Sequence, residues 1–198
     1  MYDRRVEEVT AFILAGGRST RMGRDKALLV LDGQTLVERA VELGRKVAEE
    51  VWIVGDPKKF SRFGRVVGDV YRERGPLGGI HVALSSTKTE WNLMVAVDLP
   101  SLRADFLRWL VEQAQADGAV ITVPRAAGHL QPLCAVYRKQ FARAAQTELE
   151  AGRNKIDPLF GPSDTRIIQE DELVYHGFST EMFRNVNTPE EWKKIAGN

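Results

Sequence analysis

The chain opens with a run whose residue types suit a polyphosphate: Leu14-Ala15-Gly16-Gly17-Arg18-Ser19-Thr20-Arg21-Met22-Gly23-Arg24-Asp25-Lys26. Glycines let the backbone approach an anion closely and turn its N–H groups toward it. Arg21 and Lys26 add positive charge within the same loop. No Gly-Lys-Ser/Thr closes the run, so it is not a Walker A loop. No Gly-x-Gly-x-x-Gly is present either, which excludes the dinucleotide fingerprint. Two glycines alone would be read as an ordinary strand-to-helix turn with surface cations; the full run is more specific. Asp98 closes the apolar stretch 93–97, where a carboxylate is placed to hold Mg²⁺, an ion that takes oxygen ligands and shares its shell with phosphates. Asn187, in Asn185-Val186-Asn187-Thr188-Pro189, offers a second oxygen to the same metal. Asp98 reads equally as a turn residue before Pro100, and Asn187 as a loop residue before a helix cap.

Three further positions are candidates. Asp69 follows the short apolar stretch 65–67 and could hydrogen-bond a base or ribose, or simply cap a loop. Gly75-Pro76-Leu77-Gly78-Gly79 puts small residues where a helix begins, so a flat base could lie on the backbone around Gly78; close packing on a sheet needs the same residues. His129, beside Gln131-Pro132, lies in a loop and could meet a substrate. His81 falls inside a helical run and reads as structural, and His176 has no partner in view. Arg138, Lys139 and Arg143 read as a solvated helix face, with attraction of an anionic substrate as the alternative. Trp52, Trp91, Trp109 and Trp192 are scattered and read as packing residues. Cys134 sits in the apolar stretch 133–137 and reads as a buried small hydrophobe. No Ser-His-Asp or Cys-His set stands out.

Elements that position these residues follow from periodicity. Buried strands are expected at 9–14, 51–54, 65–67, 93–97, 119–123 and 133–137. Helices are expected at 35–47, where Thr35 and Glu38 form a capping box, and at 77–84, 104–115 and 141–149. Residues 152–171 read as irregular, and Thr188 to Glu191 as a final helix start. This alternation implies a single α/β domain over 1–198: three layers, with a mostly parallel twisted sheet between helices. Ligands in such sheets bind at the carboxyl ends of the strands. Residues 9–100 would form the nucleotide-binding half and 101–198 the acceptor-binding half.

Composition narrows the function. Lys plus Arg total 28 and Asp plus Glu 27, so no basic excess suggests nucleic acid or an anionic membrane. One cysteine rules out an intrachain disulfide, and no Cys/His spacing resembles a zinc site. No signal peptide and no apolar run of membrane-spanning length is visible, so a cytoplasmic protein is the expectation.

The blocks Leu14–Lys26, 75–79, Asp98-Leu99-Pro100 and 185–191, in that order, resemble MobA-type molybdenum cofactor guanylyltransferases across nearly the whole chain. The resemblance implies a Rossmann-like, GT-A-like nucleotidyltransferase fold and transfer of GMP from GTP to the terminal phosphate of molybdopterin, with release of pyrophosphate. It implies GTP contacts at Leu14, Ala15, Gly16, Gly17, Lys26, Asp69, Gly78 and Asp98. Arg21, Lys26 and Asp98 become the catalytic set, and Mg²⁺ falls to Asp98 and Asn187. The pterin acceptor is expected near His129, Gln131 and Arg153. A GTP-binding accessory protein and molybdoenzyme apoproteins are the partners it implies. Where the family often carries an asparagine after the second strand, this chain has Val54-Gly55-Asp56. Sugar-phosphate nucleotidyltransferases share the opening glycines but usually set prolines around the loop lysine. Molybdenum cofactor cytidylyltransferases tend to replace the first paired glycine with alanine, so Gly16-Gly17 and Gly78-Gly79 favour guanine over cytosine. Transfer of another nucleotide, transfer to another phosphorylated acceptor, and a non-catalytic nucleotide-binding regulator remain the alternatives.

Overall fold

A computed structural model describes residues 8–16, 25–68 and 74–186. Its centre is an eight-stranded sheet formed by β1 (Val9–Leu14), β4 (Glu50–Val54), β5 (Arg65–Val67), β6 (Trp91–Ala96), β7 (Ile121–Ala126), β8 (His129–Leu130), β9 (Cys134–Arg138) and β10 (Thr165–Ile168). The strand order is β10-β7-β9-β6-β1-β4-β5, with β8 paired to β7 off this path. A separate two-stranded hairpin joins β2 (Val30–Leu31) to β3 (Gln34–Thr35). The helices are α1 (Leu36–Arg45), α2 (Pro57–Phe60), α3 (Gly75–Ser86), α4 (Ala104–Asp117), α5 (Phe141–Glu150) and α6 (Glu170–Tyr175).

Strand alternation divides the core in two. Ala11, Ile13, Ile53, Leu93 and Val95 point to one face, where α1 and α4 cover them with Leu36, Val37, Phe106, Leu107 and Leu110. Phe12, Trp52, Val54 and Met94 point to the other, against Leu77, Ile80 and Leu84 of α3 and Phe141, Ala145 and Leu149 of α5. Both faces are buried, which is why the strands read as continuous apolar runs. The three-layer domain expected from the sequence is therefore present.

From β1 the chain moves outward through β4 to β5, then crosses back to place β6 on the other side of β1. All three pairings in this half are parallel. The reversal of direction leaves a crevice at the carboxyl ends of β1 and β6. Helix α1 can form there because Thr35 caps it: its Oγ1 accepts from the Glu38 N–H, and the Glu38 carboxylate accepts from Thr35 N–H at 2.7 Å.

One expectation needs correction. Residues 152–171 are not wholly irregular: β10 pairs in parallel with β7 through Thr165↔Ile121 to Ile168↔Pro124, and α6 starts at Glu170. The partner strand lies more than 40 positions away, and four residues carry too little periodicity to announce it. The sheet is mostly parallel, as expected, with β9 inserted antiparallel between β6 and β7. Because β9 opposes both neighbours, β6 and β7 still point the same way. The expected helix start at Thr188, and Trp192, lie outside the described residues.

Candidate active site

The registers place Leu14 beside both Val54 and Ala96, so β1, β4 and β6 end at one level. Past the last paired residues, Ala15 N–H donates to Val54 O at 3.0 Å and Val97 N–H to Leu14 O at 3.3 Å. Gly16 leaves the sheet there. Among the described residues, a Cβ on Gly16 would meet only Val54 O, at 3.9 Å, so their packing does not demand a glycine. The first turn of α3 lies directly over this edge, because a Cβ on Gly79 would be 3.7 Å from Val54 Cγ1 and 3.9 Å from Leu14 Cδ2. Gly78 is buried in the same turn. Gly75 supplies the left-handed φ of +65° that turns the chain into the helix, and Pro76 then fixes the first helical φ.

Lys26 and Asp98 meet at the crevice. Lys26 Nζ lies 2.7 Å from Asp98 Oδ2, and the two side chains are 16% and 23% exposed. The pair is thus shielded from bulk water yet open on one side. Lys26 opens a 3₁₀ turn, Lys26–Leu28, and Asp25 caps it by accepting from Ala27 N–H at 3.2 Å. Leu28 N–H and Leu29 N–H complete the turn onto Asp25 O and Lys26 O. Buried Ala27 pins it to the core, and Leu36 N–H bonds back to Leu29 O at 2.9 Å. On the other side, Asp98 O accepts from Val186 N–H at 3.0 Å, which sets the residue preceding Asn187 against the same carboxyl end. The loop before β9 closes the flank, with Ala96 N–H donating to Leu133 O at 2.9 Å.

The expected acceptor residues sit on the same sheet edge. His129 and Gln131 follow β7, whose carboxyl end points the same way as that of β6. His129 is exposed. The Gln131 side-chain amide donates to Ala126 O and His129 O, each at 3.3 Å, and so braces the turn. Glu170 Oε1 accepts from Gly128 N–H at 2.7 Å and holds the same turn from α6. Arg153 follows α5 and forms a bidentate pair with Glu148 at 2.6 and 2.7 Å. That hydrogen-bonded guanidinium holds the Glu148 carboxyl below its ordinary pKa. Next to it, Arg74 Nη1 reaches Asn154 Oδ1 at 3.5 Å, linking the start of α3 to the 152–155 loop.

Other side chains resolve differently. Asp56 caps α2, accepting from Lys58 N–H at 2.9 Å. Arg138 pairs with Glu90 at 2.6 Å and donates to Gly118 O, at the opposite edge of the sheet from Asp98. The alternative reading of that basic group as a substrate attractor is therefore misplaced. His176 does have a partner: its ring lies 4.9 Å from that of Trp109. Cys134 is fully buried, and burial pushes its thiol pKa up. Gly17, Arg21, Asp69 and Asn187 lie outside the described residues. One contact escaped sequence reasoning: Lys59 Nζ lies 2.7 Å from Asp25 Oδ2, across 34 positions. A surface ion pair at that separation leaves no periodic trace. No helix among the described residues is long and apolar enough to cross a membrane.

A doubly covered, mostly parallel sheet with a crevice at its switch point defines the α/β class whose ligands bind at the carboxyl ends of the strands. Comparison with known proteins identifies the family. A model of the MobA-like NTP transferase domain matches residues 11–161, and the chain belongs to this family. It is 37% identical over 189 residues to a probable molybdenum cofactor guanylyltransferase of Pelotomaculum thermopropionicum, covering 94% of this chain and 91% of that one. A protein of the same name from Clostridium perfringens is 32% identical over 190 residues, covering 94% and 95%. Among solved structures, molybdopterin-guanine dinucleotide biosynthesis protein A from Archaeoglobus fulgidus superposes with a TM-score of 0.82. It covers 94% of this chain and 96% of that chain at 22% identity, and so supports the fold.

Proposed function

We propose that the protein transfers GMP from GTP to the terminal phosphate of molybdopterin, releasing pyrophosphate. The carrying observation is the Lys26–Asp98 pair at 2.7 Å, which joins the end of the glycine-rich run to the end of β6. The names of the relatives, probable molybdenum cofactor guanylyltransferases, support the choice of guanine and of a molybdenum cofactor acceptor.

The acceptor is a phosphate monoester, whose second pKa lies near about 6, so its oxygen is already anionic near neutrality. No strong general base is needed. An acceptor oxygen forms a bond to the α-phosphorus of GTP, the α–β bridging bond breaks, and its electron pair leaves on pyrophosphate. The obstacle is charge: an anion must approach a polyanion. Lys26 supplies an ammonium at the crevice, and the exposed backbone at Gly16 permits close approach of phosphate oxygens. Arg21 adds a second cation. Holding acceptor and nucleotide in line supplies the remaining advantage.

The donor set fits Mg²⁺. Asp98 already holds a cationic group against one oxygen, so its surroundings accept positive charge there. Mg²⁺ takes most of its oxygens from phosphates and water, so the reading asks few ligands of the protein. Asp98, with Asn187, would hold it. When bound, the ion neutralises phosphate charge and stabilises the leaving pyrophosphate.

Pyrophosphate release measured with GTP, CTP, ATP and UTP, with and without molybdopterin, tests the reading. Release is expected only when GTP, molybdopterin and Mg²⁺ are together. Equal release with CTP removes the guanine assignment, and silence with molybdopterin removes the acceptor.

A further inference from the structure

The 3₁₀ turn that carries Lys26 is short, and three residues do not hold a lysine by themselves. Its anchor is Asp25, and both carboxylate oxygens of Asp25 are engaged. Oδ1 accepts from Ala27 N–H at 3.2 Å, capping the turn. Oδ2 accepts from Lys59 Nζ at 2.7 Å. The Asp25 side chain is 20% exposed and that of Lys59 is 50% exposed. Lys59 rides on α2, which is itself firmly seated. Asp56 caps that helix, and Phe60 is 1% exposed in the core. Gly55 leaves room for the ring: a Cβ there would lie 2.8 Å from Phe60 Cδ2. The Asp25 carboxylate raises the Lys59 pKa through this hydrogen bond, so the ammonium stays charged across the ordinary working range.

We infer that Lys59 is a positioning residue for the nucleotide site: it clamps Asp25 from α2 and thereby sets the turn that aims Lys26 at Asp98. This rests on the nucleotidyltransferase reading above. A half-exposed ion pair contributes little to global stability. Its role is geometric, since Asp25 caps the turn that carries Lys26 and Lys59 fixes the other oxygen of the same carboxylate. A displaced Lys26 would meet the triphosphate poorly while the core stays intact. Lys59 therefore acts through Asp25 and not by touching phosphate.

The test measures Mg·GTP affinity by calorimetry on the full chain, together with thermal midpoint. Lys59→Ala is expected to weaken Mg·GTP binding by about tenfold, the scale of coupling within one contact network, with little change in midpoint. Lys59→Arg, which keeps the charge and reach, should restore most of the affinity. In an Asp25→Asn background, which keeps a cap acceptor but removes the charge, Lys59→Ala should have almost no further effect. Unchanged affinity in Lys59→Ala, while Lys26→Ala weakens binding, overturns the clamp and leaves the nucleotide site standing. Additive losses in the double variant also overturn it, since they mean Lys59 contacts the nucleotide directly. Wild-type protein that ignores Mg·GTP overturns the underlying reading, and the clamp with it.

Discussion

At the scale of single residues, the Asp98 carboxylate holds the Lys26 ammonium at 2.7 Å. On the proposed reading Asp98 has two jobs that pull against each other: the triphosphate needs that ammonium, and the carboxylate would repel the triphosphate unless a divalent cation stood between them. Asp98→Ala is expected to lower turnover by about 10²-fold or more, read by pyrophosphate release. Asp98→Asn separates the two effects: with Mg²⁺ the variant should bind GTP less well than wild type, but in chelator it should bind GTP better. Lys26→Ala should weaken binding in both conditions. His81 sets a pH dependence unrelated to the site. Burial lowers its pKa from 6.5, outweighing the Glu150 carboxylate nearby. Below pH 6.5 the unfolded chain takes up a proton that the fold resists, so stability falls as pH drops through that value. Thermal midpoints from pH 5 to 8 should show this slope in wild type and a shallower one in His81→Gln.

The elements are where sequence and fold agree most closely. Thr35 and Glu38 announced the start of α1, and both reciprocal bonds are present. Thr35→Ala should cost about 1 kcal/mol, measured by chemical denaturation. The lowered pKa of Glu38, caused by its hydrogen bonds to Thr35, should relax toward its ordinary value in the same variant, read by NMR titration. The strands and helices that carry the site were legible because burial on both sheet faces writes long apolar runs and helical spacing writes amphipathic ones. What escaped were features made by distant pairing: β10, the antiparallel setting of β9, and the Lys59–Asp25 pair. Each depends on a partner tens of positions away, and four residues or two charges have no local period. The candidate acceptor residues were readable only as loop residues; their common edge became visible once β9 was found to oppose both neighbours.

Across the whole molecule, the placement of β9 ties the two halves of the chain together. The parallel half, β5-β4-β1-β6, ends on β6, whose outer edge presents the backbone of Leu93, Met94 and Val95 to β9. That strand is only supplied by residues 134–138. A fragment stopping after Leu102 would hold all of the strands around the Lys26–Asp98 crevice yet leave that edge bare, an invitation to pair with other copies. Size-exclusion chromatography of such a piece should show aggregates, and adding the remainder in trans should not fully rescue it. The nascent polypeptide faces the same exposure on the ribosome: Lys26 and Asp98 are spelled out early, but the strand that covers the neighbouring sheet edge arrives late.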